Sequence, residues 1–222
     1  MAPPPDPAGE GPSLDFARIM QTLDRHGVEY LLVGGAAAIG YGAQRGTQDV
    51  DCMVPRGNDD NFRRLGGAMS ELGARIRAEG LDDDVAKTLP ANLDPRALGR
   101  AEISTWMTDA GALDVLTDLP DRTGTRLTYE TLVERAQPQD IAGVRIRLAA
   151  LEDIIASKEW ANRAKDHEAL PELYAIRDAQ AAAERAQTCF PEPARGLAPP
   201  RPESGRPEGP GVSPGRDSEL DR

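Results

Sequence analysis

Two aspartates separated by one residue, Asp49 and Asp51, are the side chains of this chain best placed for chemistry. They lie in an alternating stretch, residues 47–54, which predicts a β-strand. Side chains two apart on a strand share a face, so the carboxylates lie side by side. Two such anions about 4 Å apart repel by roughly 1 kcal/mol in water and about 4 kcal/mol near a protein surface. The pair therefore indicates a site for Mg²⁺, which takes one or two carboxylates plus substrate phosphates.

A third carboxylate, Asp114, lies in the apolar stretch 112–117. On a strand, Leu113 and Val115 would face the core and Asp114 would face the opposite side. A D-x-D pair by itself is more often a solvated strand face, and Asp114 by itself indicates little. The order of the features favours a site: a strand, a glycine pair, a helix, a D-x-D strand and a later acid.

A glycine pair, Gly34 and Gly35, follows the apolar stretch 28–33, which predicts a buried strand. Without a Cβ the backbone can approach a ligand, and the small-residue helix predicted over 36–41 offers free N–H groups to phosphate. The spacing excludes the dinucleotide fingerprint G-x-G-x-x-G. It also excludes a P-loop, because Tyr41 follows Gly40 where that motif needs lysine.

The chain has only three lysines, Lys87, Lys158 and Lys165. Lys158 lies on the apolar face of a predicted helix, and a buried lysine needs a ligand or a partner. A phosphate is one interpretation, and an ion pair with Asp153 or Asp166 is the other. The role of Lys165 is left open in the same way. Asp166 could be the N-cap of the last helix, and Lys165 would then simply be the residue before it.

The elements that must position these residues form a mixed pattern of helices and strands. Helices are predicted over 14–26, 36–41, 58–72, 129–136, 150–163 and 167–187. Strands are predicted over 28–33, 47–54, 75–78, 103–107, 112–117 and 144–148, and a loop over 79–100. The predicted fold class is α/β (α+β): a small mixed β-sheet flanked by helices, with a helical C-terminal portion.

The distribution of proline along the chain indicates where the folded part ends and the tails begin. Of nineteen prolines, five lie in residues 1–13 and eight in 189–222, a composition typical of disorder. We therefore expect disordered tails over 1–13 and 189–222. Between them we expect a main domain over 14–148 and a helical portion over 149–188 packed on it.

Charge and cysteine content limit the function classes. The net charge of −11, from 26 basic and 37 acidic residues, argues against a general nucleic-acid coat and leaves room for a local basic patch. Cys52 and Cys189 form neither a disulfide framework nor a metal-binding spacing. No apolar run approaches the roughly 18 residues of a membrane span, and no signal peptide is visible. We expect a cytoplasmic protein without a membrane partner.

The glycine pair, the D-x-D strand and the later acid together resemble the nucleotidyltransferase superfamily that shares the DNA polymerase β palm. Within it, residues 28–176 most resemble the small bacterial AbiEii-toxin-like and minimal nucleotidyltransferases. The sequence RGTQDVD at 45–51 matches their pattern R-x-T-x-D-x-D. The sequences LEDIIASK at 151–158 and RAKD at 163–166 match their pattern L-x-D-L-I-x-x-K followed by R-x-K-D.

This resemblance implies a palm domain and an enzyme that moves NMP from an NTP such as ATP to an acceptor hydroxyl, releasing pyrophosphate. Two Mg²⁺ ions would be held by Asp49, Asp51 and Asp114, and Asp114 would help to deprotonate the acceptor. The residues expected to contact the nucleotide phosphates are Gly34, Gly35, Arg45, Thr47, Lys158 and Lys165. One departure is Gly35, where many members have a serine whose hydroxyl touches phosphate.

The resemblance leaves the acceptor open. A toxin-like enzyme would modify tRNA or another cellular target and would have an antitoxin protein as partner, which the sequence matches favour. An antibiotic-type enzyme would modify a small molecule, which the acidic balance favours. A non-catalytic nucleotide-binding module on the same fold is a third interpretation, although such a module is expected to lose one of the three acids.

Overall fold

The computed structural model describes residues 12–78 and 80–189. Within these ranges the helices are α1 (Phe16–Arg25), α2 (Gly34–Gly40), α3 (Asp59–Glu71), α4 (Asp83–Thr88), α5 (Pro95–Leu98), α6 (Tyr129–Val133), α7 (Leu151–Ala161) and α8 (Ala164–Cys189). The strands are β1 (Leu31–Val33), β2 (Asp49–Met53), β3 (Arg75–Ile76), β4 (Ile103–Thr108), β5 (Gly111–Leu116), β6 (Asp118–Pro120), β7 (Arg126–Thr128), β8 (Gln137–Ile141) and β9 (Val144–Leu148).

Seven strands form one mixed sheet in the order β3-β4-β5-β2-β1-β9-β8, and β6 and β7 form a separate hairpin. The pairs β2–β5 and β1–β9 are parallel, and the remaining pairs are antiparallel. Helices flank this sheet, and α7 packs against both α2 and α8. The predicted fold class, a mixed sheet flanked by helices with a helical C-terminal portion, is confirmed.

Apolar periodicity explains the helices that cover the sheet. On α1, Ile19, Met20 and Leu23 are fully buried, and the helix begins where the Asp15 carboxylate accepts a hydrogen bond from the Arg18 N–H at 3.0 Å. Helix α1 packs against α3 and β9. No helix in the described ranges is both long and apolar enough to cross a membrane.

The predicted loop over 79–100 is wrong, because the described part of it contains the short helices α4 and α5. Asp82 caps α4 by accepting hydrogen bonds from the N–H groups of Asp84 and Val85. Asp94 caps α5 in the same way, and Pro95 occupies its first position. These helices begin at side-chain caps and are too short to show an apolar period.

Strands β6, β7 and β8 were not predicted. β6 and β7 have three residues each and β8 contains Pro138, which leaves little alternation to detect. Several boundaries also differ: α2 begins at Gly34 instead of residue 36, α8 at Ala164 instead of residue 167 and β1 at Leu31 instead of residue 28, and α6 ends at Val133 instead of residue 136. Residues 1–11 and 190–222 lie outside the described residues, so the disordered tails stay predictions. The division between a main domain and a helical portion at residue 148 also stays a prediction.

Candidate active site

Strand register brings the three aspartates together. Asp51 of β2 lies opposite Asp114 of β5 in a parallel pair, so both side chains lie on one face of the sheet. Asp49 lies two residues before Asp51 on that face. Leu113 and Val115 are buried on the opposite face, as predicted. The sheet therefore presents three carboxylates at one place.

Gly34 lies directly against this cluster. It is the first residue of α2, has φ +62°, and follows Val33, which pairs with Asp51 across β1 and β2. A Cβ at Gly34 would lie 2.7 Å from the Asp51 Cγ. Only glycine allows this close approach, and the first turn of a helix leaves its N–H groups without intrahelical partners.

Gly35 is matched to Thr47 in a similar way. A Cβ at Gly35 would lie 2.7 Å from the Thr47 Oγ1. The Thr47 hydroxyl lies 3.1 Å from Asp49 Oδ1 and is placed to donate a hydrogen bond to it. Thr47 therefore connects the glycine pair to the carboxylate strand. A serine at position 35 would need Thr47 to move, which gives the departure from the Gly-Ser pattern a steric reason.

The negative charge of the cluster is offset only in part by neighbouring cations. Burial, followed by the charges of Asp49 and Asp114, raises the pKa of Asp51 to about 7, against the opposing effects of Lys165 and Lys158. Burial also raises the pKa of Asp114, although Arg77 acts in the opposite direction. A bound cation would relieve this repulsion.

Arg77 is a site residue that was not predicted. Its Nη2 donates a hydrogen bond to Asp114 Oδ1 at 2.5 Å. Its backbone pairs with Thr105, which lies opposite Asp114 on β4. Within the described residues its Nε is buried and has no hydrogen-bond partner. The sequence feature that could have indicated Arg77 is its alternation with Arg75 in the predicted strand 75–78, which places both arginines on one face.

Lys158 and Lys165 lie on two different helices, because α7 ends at Ala161 and its C-cap, Asn162, is in a left-handed conformation with φ 51°. The Lys158 Nζ lies 3.4 Å from Asp166 Oδ1, which is the ion pair considered as its alternative partner. Asp166 is fully buried and accepts hydrogen bonds from the Arg163 side chain and backbone. The prediction of Asp166 as an N-cap is wrong, since it is the third residue of α8.

All nine predicted site residues line one cleft of about 670 Å³. They are Gly34, Gly35, Arg45, Thr47, Asp49, Asp51, Asp114, Lys158 and Lys165. The Arg45 Nη1 lies 2.7 Å from Glu168 Oε2 of α8. The roles assigned to these residues from the resemblance stay predictions.

The donor set suits Mg²⁺ without forming a closed cage. Within the described residues, no group of three or more His, Cys, Asp or Glu side chains is arranged so that it could hold a metal ion. Mg²⁺ does not require one, because it usually keeps several waters and takes one or two carboxylates together with substrate phosphates. Asp49 and Asp51 supply such oxygen ligands on one face, and a cation bound there would oppose the effect of burial and of the neighbouring carboxylates, which together raise the pKa of Asp51.

Comparisons with known proteins give limited information. No family model and no curated protein matches the sequence. The structure of ANT(2'')-Ia in complex with adenylyl-2''-tobramycin is similar at 17% identity and TM-score 0.46, covering 77% of this chain and 90% of that chain. The lincomycin-bound lincosamide antibiotic adenylyltransferase LnuA is similar at 13% identity and TM-score 0.48, covering 74% and 99%. At such TM-scores the likeness carries no argument about function, which rests on the geometry of the cleft.

Proposed function

We propose that the protein is a Mg²⁺-dependent nucleotidyltransferase that moves an NMP group from an NTP to an acceptor hydroxyl. The observation that supports this most is the register of Asp51 with Asp114, with Asp49 on the same face and the Gly34 backbone against the Asp51 carboxylate. On an ordinary solvated strand face, the carboxylates would point into water and would not need a glycine beside them. Here a left-handed glycine makes room for one of them.

The two sides of the cluster would bind different parts of the NTP. The N–H groups at Gly34 and Gly35 would bind phosphate at the start of α2. Lys158 and Lys165, whose charges already lower the pKa of Asp51, would neutralise the triphosphate from α7 and α8. Arg45 lines the same cleft and would add a further cation at the phosphates on leaving Glu168, its ion-pair partner.

In the transfer step, the acceptor oxygen forms a bond to the α-phosphorus. The bond from that phosphorus to the α–β bridging oxygen breaks, and pyrophosphate leaves with the oxygen. Asp114 would take the proton of the acceptor hydroxyl. Asp49 and Asp51 would hold Mg²⁺, which when bound neutralises charge on the attacking and leaving oxygens.

The acceptor has two candidate classes. A toxin-like enzyme acting on tRNA, restrained by an antitoxin, is supported by the sequence resemblance over residues 28–176. A small-molecule acceptor is supported by the net charge of −11. A non-catalytic nucleotide-binding module has less support, because such a module would not need Asp114 beside Asp51.

Thermal unfolding in the presence of Mg²⁺ and each NTP tests the proposed site. We expect the melting temperature to rise only when Mg²⁺ and a nucleotide are both present, because ligand binding stabilises the folded state. Asp51→Asn should lose this rise, whereas Asp24→Asn, at an exposed position on α1, should keep it. The absence of any shift would contradict the proposal, and a shift without pyrophosphate release would identify a non-catalytic module.

A further inference from the structure

One side of the cleft is apolar, and it lies across the carboxylates from the glycine pair. Leu116 follows Asp114 by two residues and pairs with Ile103 of β4, so both lie on the face of the carboxylates. Gly34 follows β1, on the other side of β2. The residues that line this side, called the apolar wall, are Ile103, Leu116, Leu119, Pro120 and Trp160.

Two residues of the apolar wall are unusually open to solvent. Ile103 is 52% exposed and Trp160 is 51% exposed, although both are large and apolar. The indole of Trp160 lies against the β6–β7 turn, where a Cβ at Gly124 would come within 2.6 Å of its Cζ2. Arg122 of the same turn forms an ion pair with Glu159 beside it. These contacts hold the indole in place while half of its surface stays available to a ligand.

The arginines on this side of the cleft are already paired with carboxylates. Arg77 contacts Asp114. Arg126 lies 3.2 Å from Asp118 and 3.9 Å from Glu102. A polynucleotide acceptor brings phosphates that need cations to neutralise them. The apolar wall therefore matches a molecule with an apolar surface and without negative charge.

We propose that the apolar wall binds the acceptor, and that the acceptor is a small cyclic alcohol without negative charge. Its ring packs on Trp160 and Ile103, which leaves a hydroxyl to be presented to Asp114. This inference rests on the proposed function and names the substrate class of the same cleft. It excludes tRNA as the acceptor.

Labelling of two acceptor pools in separate incubations tests the substrate class. The full-length protein is incubated with Mg²⁺ and NTPs radiolabelled at the α-phosphate, with either a small-molecule filtrate of bacterial extract or purified total tRNA. We expect label on a compound of the filtrate. Label on tRNA alone would overturn the inference and leave the proposed function standing. Label in neither pool would contradict the proposed function itself.

Variants of the wall then test where the labelled compound binds. Ile103→Ser and Trp160→Ala should each raise the KM for that compound about tenfold, the loss expected when one apolar contact is removed. The KM for the NTP should stay unchanged. Val85→Ser, at a 50% exposed position on α4 outside the cleft, is the matched control and should change neither constant. A raised KM for the NTP alone would assign the wall to the nucleotide and overturn the inference.

Tryptophan fluorescence gives a readout that does not depend on activity. The chain has two tryptophans, and Trp106 is 6% exposed whereas Trp160 is half-exposed, so acrylamide quenches mainly Trp160. The labelled compound's parent alcohol, purified from the filtrate, should protect Trp160 from quenching, and Mg²⁺ with NTP alone should not. Full protection by Mg²⁺ with NTP alone would contradict an acceptor site at this wall.

Discussion

Single residues of the cleft are constrained by contacts that a substitution can test, and Gly34 is the clearest case. Gly34→Ala places a Cβ 2.7 Å from the Asp51 Cγ and adds about 1–2 kcal/mol of left-handed backbone strain. We expect NMP transfer to be lost and the free energy of unfolding to fall by more than the strain alone. Gly57→Ala, at φ +81° with no atom within 4 Å of its Cβ, measures that strain by itself. Equal destabilisation by both variants would contradict the Gly34–Asp51 contact.

Asp51 should make the metal-free protein sensitive to pH. Its pKa is raised from 3.8 to about 7, so the folded state binds a proton more tightly than the unfolded state. This contribution to stability is complete below about pH 3.8 and is lost as the pH rises through about 7. Asp51→Asn avoids the loss, and above pH 7 we expect it to be more stable than the wild type by on the order of 2–4 kcal/mol.

Urea unfolding at pH 4 and pH 8, without Mg²⁺, measures this effect. The two proteins should have similar free energies of unfolding at pH 4 and diverge at pH 8. Glu130→Gln, at an exposed position on α6, should show no such divergence. A wild type as stable as Asp51→Asn at pH 8 would show that Asp51 is not destabilised by its neighbours.

Arg77 should set the pH at which Asp114 is ionised. Its charge and hydrogen bond lower the pKa of Asp114, against the larger effect of burial. Without it, that pKa should rise, so the transfer rate of Arg77→Gln should reach its plateau at a higher pH than that of the wild type. Arg77→Lys, which keeps the charge, should restore part of the shift. An unchanged pH–rate profile would limit Arg77 to a structural role.

At the scale of elements, the β6–β7 hairpin holds one side of the cleft through Gly124. Gly124→Ala adds a Cβ within 2.6 Å of Trp160 Cζ2 and should displace the indole. Gly143→Ala is a close control, because Gly143 also has a left-handed φ, +77°, between two antiparallel strands, but with open space around it. We expect acrylamide quenching of Trp160 to change in Gly124→Ala and to stay as in the wild type in Gly143→Ala. The same quenching in both variants would contradict the contact.

The elements differ in how well the sequence predicts them. The sequence of β2 alternates, and β5 carries a single acid within an apolar stretch, so the sheet face on which Asp49, Asp51 and Asp114 lie follows from their positions alone. The pairing of β2 with β5 does not, because a parallel partner is chosen by packing over a long separation in sequence. The break between α7 and α8 lies at residues 162–163, inside the helix predicted over 150–163, and Asn162, with φ 51°, is one of the few residue types besides glycine that readily adopt this conformation.

At the scale of the whole molecule, the predicted site residues come from four separate stretches of the chain and meet in one cleft. The residues that sequence reasoning missed share a property: their significance comes from a tertiary contact. In the sequence, Arg77 resembles an ordinary surface arginine. Its contact with Asp114 of β5 arises only because β4 pairs with β5 in the folded sheet. Trp160 has no distinctive spacing in the sequence, and its place at the cleft comes from the packing of α7, with the β6–β7 turn against its indole.

The most direct measurement of the central claim is the rate of NMP transfer by isosteric variants of the three carboxylates. Asp49→Asn, Asp51→Asn and Asp114→Asn keep the shape of each side chain and remove its charge. We expect each to lose at least about a hundredfold in rate, the scale of one catalytic group. Asp109→Asn, which removes an exposed carboxylate outside the cleft, should retain the wild-type rate. Wild-type rates of transfer in Asp49→Asn and Asp51→Asn would contradict a nucleotidyltransferase site at this cleft.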